Sequence, residues 1–265
     1  MSIMQSIEIL KPHPQGVLAK SQTQWGVVLL HGFTAGPGSV LPWGQALATA
    51  GATVYILTLP GHGTTVSDLA QTSAGQWRRH VQQTVDYVLA QGHDRVAVAG
   101  LSLGGALALD AAAHRAVDAT LLVNPALSFK PVDQLGVALS PFFQRIIPTV
   151  GPLAGDIKKA GVVEEAYDRT PVSAVAELAK LFRTVRRRLA DISSPVTLYW
   201  STQDHIVPPT TAKLLRRRME PNLLRIVHMD NSYHVATLDN DAPLIYQDSV
   251  NTLLSLSGGD HGGTA

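Results

Sequence analysis

Cysteine is absent from all 265 residues. A disulfide framework, thiolate chemistry and every Cys-based zinc or iron–sulfur site are thereby excluded. Charge is scarce as well: Asp, Glu, Lys and Arg supply 15% of the chain, and the formal net charge is +1. A dedicated nucleic-acid binder carries a basic excess that is missing here, so no nucleic-acid partner is expected. No stretch reaches the ~18 apolar residues that a membrane span needs. Met1 to Leu10, MSIMQSIEIL, has neither the basic head nor the apolar run of a signal peptide, and the cytoplasm is the expected location. No H-E-x-x-H, P-loop or G-x-G-x-x-G pattern occurs, so metal and nucleotide cofactors are not implied.

What the chain does have is apolar content. Hydrophobic residues make up 45%, enough for one large folded unit without staples. They fall into short runs that alternate with helical patterns. Val27 to Leu30, Thr53 to Leu57, Val96 to Leu101, Thr120 to Val123, Val196 to Trp200 and Leu223 to Met229 read as buried strands. They are rich in Val and Leu and apolar on both faces, which suits a parallel sheet covered on both sides. Leu41 to Ala50, Ser73 to Ala90, Leu103 to His114, Thr210 to Arg217 and Pro243 to Leu256 read as the helices between them. Residues 5–20 are expected to add an antiparallel hairpin at one edge. This alternation predicts an α/β fold, a mostly parallel sheet with helices on both faces.

One segment breaks the rhythm. Pro125 to Arg188 shows no strand signal, but it holds an apolar stretch (Leu135, Val137, Leu139, Phe142, Phe143, Ile146, Ile147) and then a helix start at Thr170-Pro171. In that start the Thr hydroxyl should cap a free N–H and the Pro should occupy the first turn. About 60 residues between two strands is too long for a plain connection. The expected organisation is a core over residues 1–124 and 189–256, a cap inserted at 125–188 over the carboxyl ends of the strands, and a frayed tail at 257–265. An apolar cap lining would suit an acyl chain, or else simply pack the cap onto the core. The runs Arg186-Arg187-Arg188 and Arg216-Arg217-Arg218 read as solvated helix faces.

Gly100-Leu101-Ser102-Leu103-Gly104 fits G-x-S-x-G. The pattern is weak alone, but it follows an apolar strand and opens an Ala-rich helix, as a nucleophile elbow requires. A serine needs a base, and the base needs an orienting acid. In this kind of fold the chain order is Ser, then Asp or Glu, then His. Asp204 follows the strand at Val196 to Trp200, and His234 follows the strand at Leu223 to Met229. Both therefore fall on the sheet edge that carries Ser102. Asp230, Asp239 and Asp241 are rivals for the acid, too near His234 and off the preceding strand end; His205 is a rival base. His31, His62, His80, His93, His114 and His228 are read as structural. For the oxyanion, the expected donors are the backbone N–H groups of Leu103, at a helix N-terminus, and of Phe33, in the loop after the first long strand.

At these residues the sequence resembles the bacterial monoacylglycerol lipases and related thermostable carboxylesterases of the α/β-hydrolase superfamily. The resemblance rests on His31-Gly32-Phe33-Thr34, Gly61-His62-Gly63, the elbow through Gly105, Asp204 to Pro209, and Asn231 to Asp239. It extends to the cap at Glu164 to Pro171, where it implies that Glu164 meets the glycerol end of a substrate. The activity it implies is serine ester hydrolysis of monoacylglycerols without a cofactor. General carboxylesterase action on short- to medium-chain esters, and perhydrolysis or acyl transfer by the same triad, are the alternatives. The partner is then a small lipid ester, and transient membrane-surface contact through the cap is left open.

Overall fold

The computed structural model describes residues 3–130 and 148–258. The apolar stretch at Leu135, Val137, Leu139, Phe142, Phe143, Ile146 and Ile147 lies outside the described residues, as does residue 259 onward.

Seven strands form the main sheet: β1 (Ile7–Leu10), β2 (Trp25–Leu30), β3 (Thr53–Leu57), β4 (Arg95–Leu101), β5 (Ala119–Val123), β8 (Val196–Ser201) and β9 (Leu224–Met229). Their order is β1-β3-β2-β4-β5-β8-β9, and every pairing is parallel except the edge pair β1–β3. This is an α/β-hydrolase sheet. Every residue of β2, β5 and β8 is buried. Side chains alternate across a strand, so a continuous apolar run feeds two cores. In β2, Val28 and Leu30 enter one core while Val27 and Leu29 enter the other.

Helices α1 (Val17–Lys20), α2 (Leu41–Ala50) and α8 (Ala242–Ser257) pack together on one face. Helices α4 (Ala74–Leu89), α5 (Leu103–Ala112) and α6 (Val172–Arg188) pack together on the other, with α3 (Val66–Ala70) against α6 and α7 (Thr210–Arg218) beside them. Among the described residues no helix is long and apolar enough to cross a membrane.

Two expectations need correction. Residues 5–20 do not form a hairpin. Only β1 joins the sheet, and after Pro12 and Pro14 the chain turns into α1, anchored by the buried Leu18. Proline cannot donate to a second strand's ladder. Thr170 does not cap a helix: Thr170–Pro171 is a short strand, β7, paired with β6 at Thr149–Val150, and Pro171 itself is the N-cap. A residue before proline is pushed to extended backbone, which suits a ladder and not a helical cap. Helix α6, which ends the inserted segment, packs on the core. Ala174, Val175, Leu178, Leu181, Phe182 and Val185 repeat at helical spacing and enter the same core as α5. What is described of the inserted segment before it, 148–171, bonds instead to the loops after β2, β8 and β9.

The two arginine runs occupy the last turns of α6 and α7, where cations complement exposed carbonyls. The chain goes on from these ends to the amino ends of β8 and β9, so the arginines stand at the sheet edge away from Ser102.

Candidate active site

Ser102 sits between β4 and α5 with φ 54° and ψ −112°. A side-chain-bearing residue held there costs about 1–3 kcal/mol and persists only under constraint from its surroundings. That constraint is visible. The Ser102 N–H donates to the Val123 carbonyl at 3.0 Å, and the Ser102 carbonyl accepts from Ala106 at 3.1 Å and Ala126 at 3.0 Å. The elbow's glycines let strand and helix touch: a Cβ on Gly104 would meet the Leu30 carbonyl oxygen at 2.2 Å, and one on Gly100 would meet Gly104 at 2.3 Å. Thr34 and Asn124, just past the carboxyl ends of β2 and β5, also have positive φ, at 63° and 43°. Of the four side-chain-bearing residues with positive φ among those described, all but Gln22 therefore lie at this one edge of the sheet.

His234 and Asp204 come together. The His234 Nδ1–H donates to Asp204 Oδ2 at 2.8 Å, with both side chains almost fully buried. The other Asp204 oxygen accepts the N–H groups of Ile206 at 2.7 Å and Val207 at 2.8 Å. With Nδ1 so engaged, Nε2 is the ring nitrogen left to act as a base. Among the described residues the Ser102 hydroxyl has no hydrogen-bond partner, the His234 ring included; bonds between nucleophile and base often tighten only when substrate arrives. The Phe33 and Leu103 N–H groups, too, donate to no other described residue. The loop carrying Phe33 lies against the serine: a methyl on Gly32 would stand 3.7 Å from Ser102 Cβ.

The rival residues have other work. Asp239 is buried and accepts the N–H groups of Lys158, Lys159, Tyr233 and Asn240. Asp241 accepts from Asn231, and the His205 ring bonds to Asp156. His31 and His62 are buried beside the Phe33 loop, edge-to-face at 5.0 Å. The Leu59 N–H donates to His31 Nε2 at 3.1 Å, which fixes that ring as neutral with its proton on Nδ1, bonded to the Gly32 carbonyl at 2.8 Å.

Burial pushes His31 from 6.5 down to about 3 and His62 down to about 4. In the unfolded chain both rings take up a proton below about 6.5. The unfolded state then binds more protons in the window between, so their contribution to stability is complete above 6.5 and is lost as the pH falls. Thermal unfolding followed from about pH 7 to about pH 4 should show Tm falling, with a shallower slope in His62→Gln. Identical slopes for the two proteins would rule out His62 as a contributor.

Glu164 is half-buried and accepts the Gly155 N–H at 2.9 Å. Burial raises its carboxyl above the usual range, while the Gly155 bond and the nearby His234 oppose that rise. For His234, burial works against the charged form. The charge and hydrogen bond of Asp204 and the charges of Glu164 and Asp156 outweigh it, so the imidazole stands above its ordinary value.

Three residues at this edge escaped the sequence reading. Asn124 is buried, accepts the Ser201 N–H at 2.8 Å and donates to the His234 carbonyl at 2.8 Å. Its signal was a polar residue ending an apolar strand, just before a proline. Tyr167 joins the loops after β2 and β3: its N–H donates to the Thr34 carbonyl at 2.9 Å, and its hydroxyl donates to the Gly61 carbonyl at 3.0 Å. Asp156 bonds to the loops of both His205 and His234.

Comparison with known proteins agrees with this architecture. The Hydrolase_4 family model, described as serine aminopeptidase, S33, matches residues 21–241. The chain is 35% identical over 226 residues to a thermostable monoacylglycerol lipase of Bacillus sp. (strain H-257), covering 85% of this chain and 88% of that protein. It is 24% identical over 222 residues to a carboxylesterase of Bacillus subtilis (strain 168), covering 84% and 89%. A solved structure of the metagenome-derived lipolytic enzymes LipS and LipT superposes with a TM-score of 0.84 at 30% identity, covering 94% of this chain and 97% of the other.

Proposed function

Because the chain belongs to the Hydrolase_4 family of serine hydrolases, we propose that it hydrolyses monoacylglycerols to a fatty acid and glycerol, with Ser102, His234 and Asp204 as its triad. The observation that carries the triad is the buried 2.8 Å pair of His234 and Asp204 on the same sheet edge as a strained serine. Ser102 attacks the ester carbonyl while His234 takes its proton. The N–H groups of Phe33 and Leu103 stabilise the oxyanion, and the dipole of α5 adds to the second. His234 then protonates the leaving glycerol oxygen and activates the water that cleaves the acyl-enzyme. Asp204 orients the imidazole and stabilises its charged form.

The choice of substrate is supported by the similarity to the Bacillus monoacylglycerol lipase and by Glu164. A carboxylate beside the base can accept hydrogen bonds from the two free hydroxyls of a monoacylglycerol. A site built to bond a hydroxyl rejects analogues that lack it. The similarity to the Bacillus subtilis carboxylesterase keeps simple short- to medium-chain esters as the second reading.

The deciding measurement is kcat/KM for a monoacylglycerol, a triacylglycerol and an alkyl ester of the same acid, with an aminoacyl anilide as a peptidase control. Monoacylglycerol should rank first. Glu164→Leu should lower its advantage over the alkyl ester by about 1–3 kcal/mol, the scale of a hydrogen bond to a charged group. An unchanged ratio would favour the carboxylesterase reading, and preference for the anilide would overturn ester hydrolysis itself.

A further inference from the structure

Asp156 lies between β6 and β7, in the segment inserted after β5, far in sequence from Asp204 and His234. Its side chain is only 14% exposed. One carboxylate oxygen, Oδ2, accepts the backbone N–H of His234 at 3.1 Å and the backbone N–H of His205 at 3.1 Å. The other, Oδ1, accepts the His205 Nδ1–H at 2.8 Å. The Asp156 carbonyl accepts the Val235 N–H at 3.1 Å. These partners belong to two separate loops. One follows β8 and carries Asp204 next to His205; the other follows β9 and carries His234.

Two loops from neighbouring strands have no covalent reason to present an acid and a base 2.8 Å apart. A largely buried carboxylate with charge-assisted bonds to the main chain of both loops sets their spacing. Asn124, just past β5, holds the same His234 main chain through its carbonyl, so the residue is held at its N–H from the inserted segment and at its C=O from the end of β5.

We propose that Asp156 is a positioning residue that locks the loops of Asp204 and His234 in register, so that the working geometry of the catalytic pair depends on the inserted segment. This rests on the reading of His234 as the base. The charged groups facing His234 are Asp204 from the loop after β8, and Glu164 and Asp156 from the inserted segment. Asp156 thus contributes one of the negative charges that favour the imidazolium, besides its hydrogen bonds.

The test measures kcat, KM and the pH profile of kcat/KM on p-nitrophenyl butyrate for the wild type, Asp156→Asn, Asp156→Ala and His234→Ala, with Tm for each. Asp156→Asn keeps an acceptor for the His234 N–H but removes the charge. It should lower kcat about 10-fold with little change in KM, and move the acid limb to lower pH. Asp156→Ala removes both and should lower kcat about 100-fold, the scale of a small misplacement of a catalytic group. If Asp156→Ala does not fold, Asp156→Asn carries the test alone. A folded Asp156→Asn with wild-type kcat and an unmoved acid limb, beside an inactive His234→Ala, overturns this inference and leaves the triad standing. So does a loss of kcat in Asp156→Asn that tracks a fall in Tm with no movement of the limb. An active His234→Ala overturns the base assignment and this inference with it.

Discussion

Ser102→Ala should lose ester hydrolysis by about 10⁶ in kcat while Tm stays at the wild-type value. The loss is large because nucleophile, base and acid act as one unit; once the nucleophile is gone, the others have nothing to activate. For the same reason, adding His234→Ala should cost little more. Stability should hold because the Ser102 hydroxyl bonds to no other described residue, and the elbow is fastened through main-chain groups that alanine keeps. Active-site labelling with a fluorophosphonate gives a second readout: wild type reacts and Ser102→Ala does not. Near-wild-type turnover by Ser102→Ala would sink the nucleophile assignment whatever the label does.

Asp204→Asn should slow turnover by about 10⁴, as when an imidazole loses its orienting anion and takes the wrong tautomer. The loop itself should survive, because the asparagine oxygen can still accept the N–H groups of Ile206 and Val207. The pH profile gives the sign. Burial alone would depress His234, but Asp204, Glu164 and Asp156 raise it above the ordinary value, so the wild-type acid limb of kcat/KM should lie above about 6.5. Activity is full above that limb and lost below it, because the base must be neutral. Removing the Asp204 charge should move the residual limb to lower pH. Asp239→Asn is the control. Its oxygens hold four main-chain N–H groups, so it should lower Tm before it lowers kcat at saturating substrate. If Asp239→Asn, and not Asp204→Asn, shows the 10⁴ loss, the acid is Asp239.

How much of this was legible beforehand follows from the range of the forces involved. Strands buried on both faces write themselves as unbroken apolar runs, and Thr53–Leu57 and Leu41–Ala50 lie where the pattern puts them. The elbow was readable because its turn is local: strand, serine and helix are consecutive. His234 and Asp204 were readable because each directly follows a strand, so chain order alone puts them on one edge. Asn124 and Asp156 were not, because their meaning lies in bonds to residues 110 and 78 positions away; a polar residue closing an apolar strand points to Asn124 but names no partner. Helix α6 shows a similar limit. An amphipathic helix declares that it buries a face, but not whether that face meets a cap or α5. Thr170 shows a local signal overruled: the extended backbone imposed by Pro171 drew it into a ladder with Val150.

The sheet order also sets a schedule for the ribosome. β5 and β8 are neighbours in space, yet roughly 70 residues separate them in the chain, which at ribosomal speed is a delay of about 4–15 s. During that interval β5, apolar but for Thr120, presents a bare edge of unpaired main-chain groups to its surroundings, other nascent chains included. Such an edge is a template for mispairing. The nascent chain is therefore most vulnerable after the serine has been made and before its acid and base exist. The inserted segment, residues 125–188, is synthesised within that gap.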